Sequence, residues 1–180
     1  IGREMLLIGA LLLLVGYFSI YSDAFLSQRN LTTVLRNSVD LGVICAGMTI
    51  IIIMGGIDVS VGGIVAVSAV LIGRAFQLDL PAFWVVLIGL ASGALLGMIN
   101  GLIIARSRVP PIVATLGTMY IFIAVLFLVI GGVWISGLPG TLSFLVLGSI
   151  AGFPVGLFVI AGVYLACWLL LRHTPWGQHV

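Results

Sequence analysis

The chain has 180 residues, 62% of them hydrophobic and 7% charged, with a formal net charge of +2. A soluble domain carries about 25% charged residues, and a mean hydropathy of +1.39 excludes a fold that must wet one face of every element. The bilayer is the solvent that tolerates such a chain, and the small net charge leaves no footprint for nucleic acid.

A spanning helix needs about 20 mostly apolar residues, and about 17 at the least. Met5 to Tyr21 meets this, with Arg3 and Glu4 before it and Tyr17 and Tyr21 as interface anchors at its far end. It is no cleavable signal peptide, because its apolar run is long and no small-residue cleavage site follows. The polar stretch Ser22 to Asn37 reads as an interfacial helix or as the start of the next span, with Asn30 as N-cap of a turn over Leu31 to Arg36. A second span covers Leu41 to Met54, beginning near Val34, and stops at Gly55-Gly56. A third runs from Val59 to about Ala75, before a polar loop from Arg74 to Pro81. The fourth, Ala82 to Ala105, ends at Arg106 and Arg108. Pro110-Pro111 opens the fifth, Ile112 to Ile130, since proline suits a first helical turn. Gly131-Gly132 and Ser136 to Gly140 break the chain. Thr141 to Ile150 is too short to cross and predicts a re-entrant or half helix. The sixth span is Val155 to Leu171, ending at Arg172 and His173.

The predicted fold is therefore all-α: a polytopic transmembrane bundle of about six spans with glycine-broken or re-entrant segments, a single transmembrane domain over residues 1–180. The first residue is not Met, and both ends read as cut from a longer chain. Arg in short loops faces the cytoplasm. Arg3, Arg106, Arg108 and Arg172 against Arg29, Arg36 and Arg74 favour a cytoplasmic N-terminus, with Gln77 to Pro81 and Gly137 to Gly140 outside. Trp84, Trp134 and Trp176 then lie near interfaces. Cys45 and Cys167 read as small buried hydrophobes, not a disulfide.

The segment from Met54 to Gly63 carries the most chemistry. Asp58 lies between two apolar runs, flanked by Gly55, Gly56, Gly62 and Gly63. A charge at a membrane pairs, faces a cavity or reaches an interface. Gly55-Gly56 ends one helix, and Asp58 or Ser60 can cap the next; transporters line solute paths with such interrupted helices. The plainer reading is that Asp58 only caps a helix in a tight turn. Gly89, Gly93, Gly97 and Gly101 recur every fourth residue, a small-residue face for close helix packing. Asn100 beside them bridges helices or faces a cavity. Thr115, Gly117 and Thr118 soften the start of the fifth span; the hydroxyls satisfy local carbonyls or line a polar path. His173 and His179 read as solvated, and no His, Cys and carboxylate cluster suggests a metal. No catalytic triad, P-loop or dinucleotide fingerprint occurs, so no catalytic residue, cofactor or enzyme activity is expected.

Gly47 to Val70, Asn30 to Ser38, Gly101 to Phe122 and Thr174 to Val180 resemble, in order, the ribose-type sugar permeases of bacterial ABC importers. Gly131 to Leu142 looks nearer the rhamnose and autoinducer-2 branch. The resemblance implies an inner-membrane subunit nearly twice this length with about ten spans. It also implies a second permease subunit, cytoplasmic ATP-binding subunits that hydrolyse ATP and dock on a segment beyond Val180, and a periplasmic solute-binding protein. An Arg that many relatives carry shortly after the position of Thr118 is replaced here by Phe122, Ile123 and Ala124. The expected cargo is a monosaccharide or similar small neutral solute, along Gly55, Gly56, Asp58, Ser60, Asn100, Thr115 and Thr118. The alternatives are a branched-chain amino-acid permease of the same superfamily, or an intramembrane enzyme or membrane scaffold. An enzyme would pair ionisable groups at matching depth, and only Asp58 and Asp40 are available.

Overall fold

The computed structural model describes residues 2–132, 135, 143–144 and 147–178, with the side chains of residues 3, 176 and 178 left out. Trp134, Ser136, Gly137 to Gly140, His179 and, within Thr141 to Ile150, residues 141, 142, 145 and 146 lie outside the described residues, as do the side chains of Arg3 and Trp176. The elements in order are α1 (Gly2–Tyr21), α2 (Gln28–Ile53), α3 (Val61–Gln77), α4 (Ala82–Arg106), α5 (Pro111–Ile130), the strand pair β1 (Ser149–Ile150) and β2 (Phe153–Pro154), α6 (Val155–His173) and the short α7 (Pro175–Gln178). The fold is an all-α transmembrane bundle: α1, α2, α4, α5 and α6 are each long and apolar enough to cross a membrane, and α3 is a shorter apolar helix of 17 residues. Ser149 and Ile150, expected at the end of a half helix, pair instead with Phe153 and Pro154 as an antiparallel hairpin. Ala151 and Gly152 turn it with positive φ.

Two local expectations change. Of the two readings of Ser22 to Asn37, the separate interfacial helix fails and the start of the next span holds. From Gln28 the stretch is the first part of α2, which runs unbroken to Ile53. Its N-cap is Ser27 and not Asn30: the Ser27 hydroxyl accepts from the Asn30 N–H, while the Asn30 amide turns back to donate to the Phe25 carbonyl. Both residue types cap well and they stand three apart, but only one can precede the first helical turn. Nor are the two cysteines buried. Cys45 is exposed and Cys167 intermediate, both unpaired, on outward faces that a bilayer would cover.

Helix α2 ends in a Schellman motif. The Gly56 N–H reaches the Ile51 carbonyl and the Gly55 N–H the Ile52 carbonyl, with Gly55 at φ +78°, a conformation glycine adopts without penalty. Helix α3 ends the same way, but with Asp79 at φ 53° in the glycine position. Asp79 and Leu80 donate to Phe76 and Ala75.

Helices α3, α4 and α5 pack on one another, and α2 packs on α6. The inward face of α3 is Gly63, Val67, Val70 and Gly73; that of α5 is Thr115, Thr118 and Phe122, each at helical spacing. In the second group, a Cβ added at Gly156 would meet Val39, and one added at Gly42 would meet Ile160. Rising numbers on both helices mean that α2 and α6 run parallel. The far end of the bundle is tied by Arg74, whose guanidinium donates to the Val129 and Ile130 carbonyls at the end of α5. Arg74 closes orphan C-terminal carbonyls, which basic side chains commonly do. Consequently the end of α2, the start of α3, the end of α4 and the start of α5 share one end of the bundle, together with Arg106 and Arg108. The parallel course of α6 carries Arg172 toward that end as well.

Candidate functional site

The break between α2 and α3 is filled by hydrogen bonds that its own sequence supplies. Asp58 Oδ1 accepts from the Ser60 backbone N–H at 2.8 Å and from the Ser60 hydroxyl at 2.6 Å. Asp58 thus closes a two-residue turn in front of α3. Ser60 occupies the N-cap position but caps nothing with its own side chain. The Ser60 hydroxyl is fully buried and in turn accepts from Asn100 Nδ2 on α4 at 2.5 Å. The direction is fixed by chemistry: a carboxylate can only accept, so the single Ser60 proton goes to Asp58, and Asn100 must offer its NH2. That leaves Asn100 Oδ1 buried with no donor, although Asn100 is only 4% exposed. An unpaired buried polar atom costs about 1–3 kcal/mol, so its retention calls for a reason.

Thr115 supplies the other side. Its Oγ1 accepts from the Val59 N–H at 3.1 Å and donates to the Pro111 carbonyl at 2.9 Å, so one hydroxyl joins α5 to the break. Thr118 Oγ1 donates to the Thr115 carbonyl and stays local. Gly63 lies under Phe122, where an added Cβ would come within 3.1 Å of the Phe122 Cβ. Phe122 is therefore buried packing at the α3–α5 contact.

A cavity of about 360 Å³ opens beside this cluster, lined by Gly55, Gly56, Asp58, Gly97, Asn100 and Gly101 among others. Its volume lies within the range of about 300–1,000 Å³ usual for small-molecule pockets. The glycine stripe of α4 divides at its middle. An added Cβ at Gly89 would press on Ile72 at 2.7 Å, and one at Gly93 would touch the Ser68 hydroxyl at 3.9 Å. At Gly97 and Gly101 nothing lies within 4 Å. The upper glycines meet α3; the lower two leave the cavity open. The predicted residues Gly55, Gly56, Asp58, Ser60, Asn100 and Thr115 thus come together at one end of the bundle. Thr118 sits one turn deeper, and the exposed Gly117 faces away. The bridge expected of Asn100 is present, but its partner Ser60 was not legible, because the two residues stand 40 apart; their polarity inside apolar runs was the available signal. Among the described residues no group of three His, Cys, Asp or Glu could hold a metal.

Residues 30–180 match the family described as "Branched-chain amino acid transport system / permease component". The chain belongs to that permease family. It is 31% identical to the ribose import permease protein of Haemophilus influenzae, over 95% of this chain and 54% of the relative. It is 35% identical to the autoinducer 2 import system permease protein of an Enterobacter strain, over 95% and 50%. With the fructose import permease protein of Rhizobium meliloti it shares 34%, over 97% and 51%. The ribose-type resemblance read from Gly47 to Val70 therefore holds, and the autoinducer 2 relatives stand beside the sugar permeases at similar identity. The chain spans about half the length of the curated relatives it matches. No solved structure matches it.

Proposed function

We propose that this permease-family chain belongs to the membrane subunit of a bacterial ABC importer for a monosaccharide or similar small neutral polar solute. Its solute path would pass the Gly55, Gly56, Asp58, Ser60, Asn100, Thr115 and Thr118 cluster. The observation that carries this reading is the cavity of small-molecule size at the helix break, walled by Gly55, Gly56, Asp58 and Asn100. Among the described residues Asp58 is the only charged one lining that cavity, which suits a neutral solute better than an amino acid, whose carboxylate asks for a cation. The named cargoes of the relatives above, ribose and fructose, point the same way. The family description keeps a branched-chain amino acid as the second reading. ATP hydrolysis would belong to separate cytoplasmic subunits, solute delivery to a periplasmic binding protein, and the path to a pair of permease subunits, equal or unequal.

The basic end of the bundle, with Arg106, Arg108 and Arg172, would face the cytoplasm together with the N-terminus. The function is tested by uptake of radiolabelled D-ribose, D-fructose and L-leucine in cells carrying the full-length permease with its neighbouring ATPase and binding protein. Sugar uptake that is lost on Asn100→Leu, at equal membrane level, is expected. Leucine uptake without sugar uptake would overturn the reading in favour of the amino-acid one.

A further inference from the structure

The first half of α2 carries charge within a helix long and apolar enough to cross a membrane. Asp40 stands 13 residues before the end of α2, which is about 20 Å along a helix rising 1.5 Å per residue; Arg36 lies one turn further. The hydrocarbon core is about 30 Å thick. Thr33, Arg36, Asn37 and Asp40 follow at helical spacing on one face, and together they line a cavity of about 580 Å³ whose far wall includes Gly156 and Val159 of α6. Arg36 is half held: one Nη2–H donates to the Leu147 carbonyl, whereas its buried Nε–H has no acceptor. Among the described residues no ion pair joins Arg36 to Asp40, and Asp40 is exposed. Charged side chains within spanning helices face water-filled cavities or partners and mark solute paths.

We propose that this cavity is a second binding station for a neutral polyhydroxylated solute, in the membrane half opposite Asp58. The inference rests on the permease reading above. One fixed donor and one carboxylate a helical turn apart match a vicinal diol. The remaining Nη–H groups of Arg36, which lines the cavity, donate to one hydroxyl oxygen, and the Asp40 carboxylate accepts the O–H of its neighbour. Thr33, whose hydroxyl proton goes to the Arg29 carbonyl, can accept from a further hydroxyl, and Asn37 offers either role. Arg36 and Asp40 together carry no net charge, so the station favours neither cation nor anion. It differs from the Asp58 site in offering a donor as well as an acceptor.

The test uses the full-length permease with its ATPase and binding protein, after Cys45→Ala and Cys167→Ala, in whole cells. Single cysteines at Asp40 and Asn37 are reacted with a membrane-impermeant charged thiol reagent, with Leu41→Cys on the neighbouring outward face as control. Asp40→Cys and Asn37→Cys are expected to react about tenfold faster than Leu41→Cys, because the charged reagent does not enter hydrocarbon. Excess D-ribose or D-fructose, whichever the wild type takes up, should slow labelling of a further single cysteine, Val159→Cys, which lines the cavity but gives the solute no hydrogen bond. In the wild-type background, Arg36→Gln and Asp40→Asn should each lower uptake about tenfold at equal membrane level, the scale of a hydrogen bond to a charged group. Labelling no faster than at Leu41→Cys overturns the proposal and points to a covered helix interface, while sugar uptake by the wild type leaves the permease reading standing. Labelling of Val159→Cys that neither sugar slows, in a wild type that does take one up, also overturns the station. A wild type that takes up neither sugar refutes the permease reading itself, and this inference with it.

Discussion

The α3–α4–α5 group and the α2–α6 pair hold apolar helices together by different means. In lipid the hydrophobic effect gives helices no reason to associate, so close packing and buried polar bonds must do it. The three-helix group uses both: glycine contacts at Gly63 and Gly89, and the Asn100, Ser60 and Thr115 bonds that join α4 and α5 to the start of α3. The parallel pair uses only shape, Val39 on Gly156 and Ile160 on Gly42, and leaves its polar residues, Arg36 and Asp40, beside the contact and unpaired with each other. The lesson is that polar residues in these spans have two destinies. Where they meet across helices they fix a helix break beside a cavity; where they do not, they line a cavity without joining helices.

The sharpest way to break this comparison is at Gly63. Its added Cβ would lie 3.1 Å from the Phe122 Cβ and 3.4 Å from the Met119 carbonyl oxygen, and backbone cannot step aside. Gly63→Leu should cost about 3 kcal/mol or more, seen as loss of folded protein in the membrane and of thermal stability in detergent. Gly97→Ala, with nothing within 4 Å, is the control and should stay near wild type. Equal behaviour of the two variants would mean that the three-helix group does not depend on close approach.

Next comes the polar bond chain. Asp58→Ala would leave the N–H and hydroxyl of the buried Ser60 without their acceptor, a loss of about 1–3 kcal/mol. Asp58→Asn keeps an acceptor oxygen in the same place. If Asp58 serves the turn alone, Asn retains most stability and transport. If its charge meets the solute, Asn is as inactive in uptake as Ala although its membrane level is normal. Paired uptake and expression measurements separate the two, and a stable but inactive Asn variant would sink the purely structural role.

The shape-only pair should be milder. A Cβ at Gly156 would come within 2.6 Å of a Val39 methyl, but that is a side chain at the edge of a cavity, with room to yield. Gly156→Ala is expected to lower thermal stability by about 1 kcal/mol, less than Gly63→Leu. Val39→Ala should relieve it, and the double variant tests whether the two effects couple. Failure of Val39→Ala to rescue would place the strain elsewhere.

Much of this was legible in the chain. Apolar run length located the long helices, and Gly55-Gly56 marked the break because no other residue takes a φ of +78° as easily. The division of the glycine stripe was not legible. A spacing of four says which face Gly89 and Gly101 share, but not that α3 covers only its upper part, since that depends on how far one helix leans from another. Likewise, Ser27 and Asn30 are equally good caps in isolation, and the choice between them falls to the Phe25 carbonyl that Asn30 reaches instead.

The smallest expected effect concerns the two matching helix ends. Helices α2 and α3 stop with the same pair of backbone bonds, yet α2 has Gly55 in the left-handed position and α3 has Asp79 at φ 53°. A side chain there crowds the following carbonyl, at a cost that Asp tolerates better than most residues. Asp79 is exposed and lies at the end of the bundle opposite the Asp58 site, so its replacement should not touch the path. Asp79→Gly relieves the crowding but adds freedom to the unfolded chain, so the net gain should be only about 0.5 kcal/mol. It would register as a slight rise in detergent melting temperature with unchanged uptake. A lower melting temperature would mean that the Asp79 carboxylate holds that end through an interaction the backbone bonds do not supply, and the two helix ends would then be alike in geometry only.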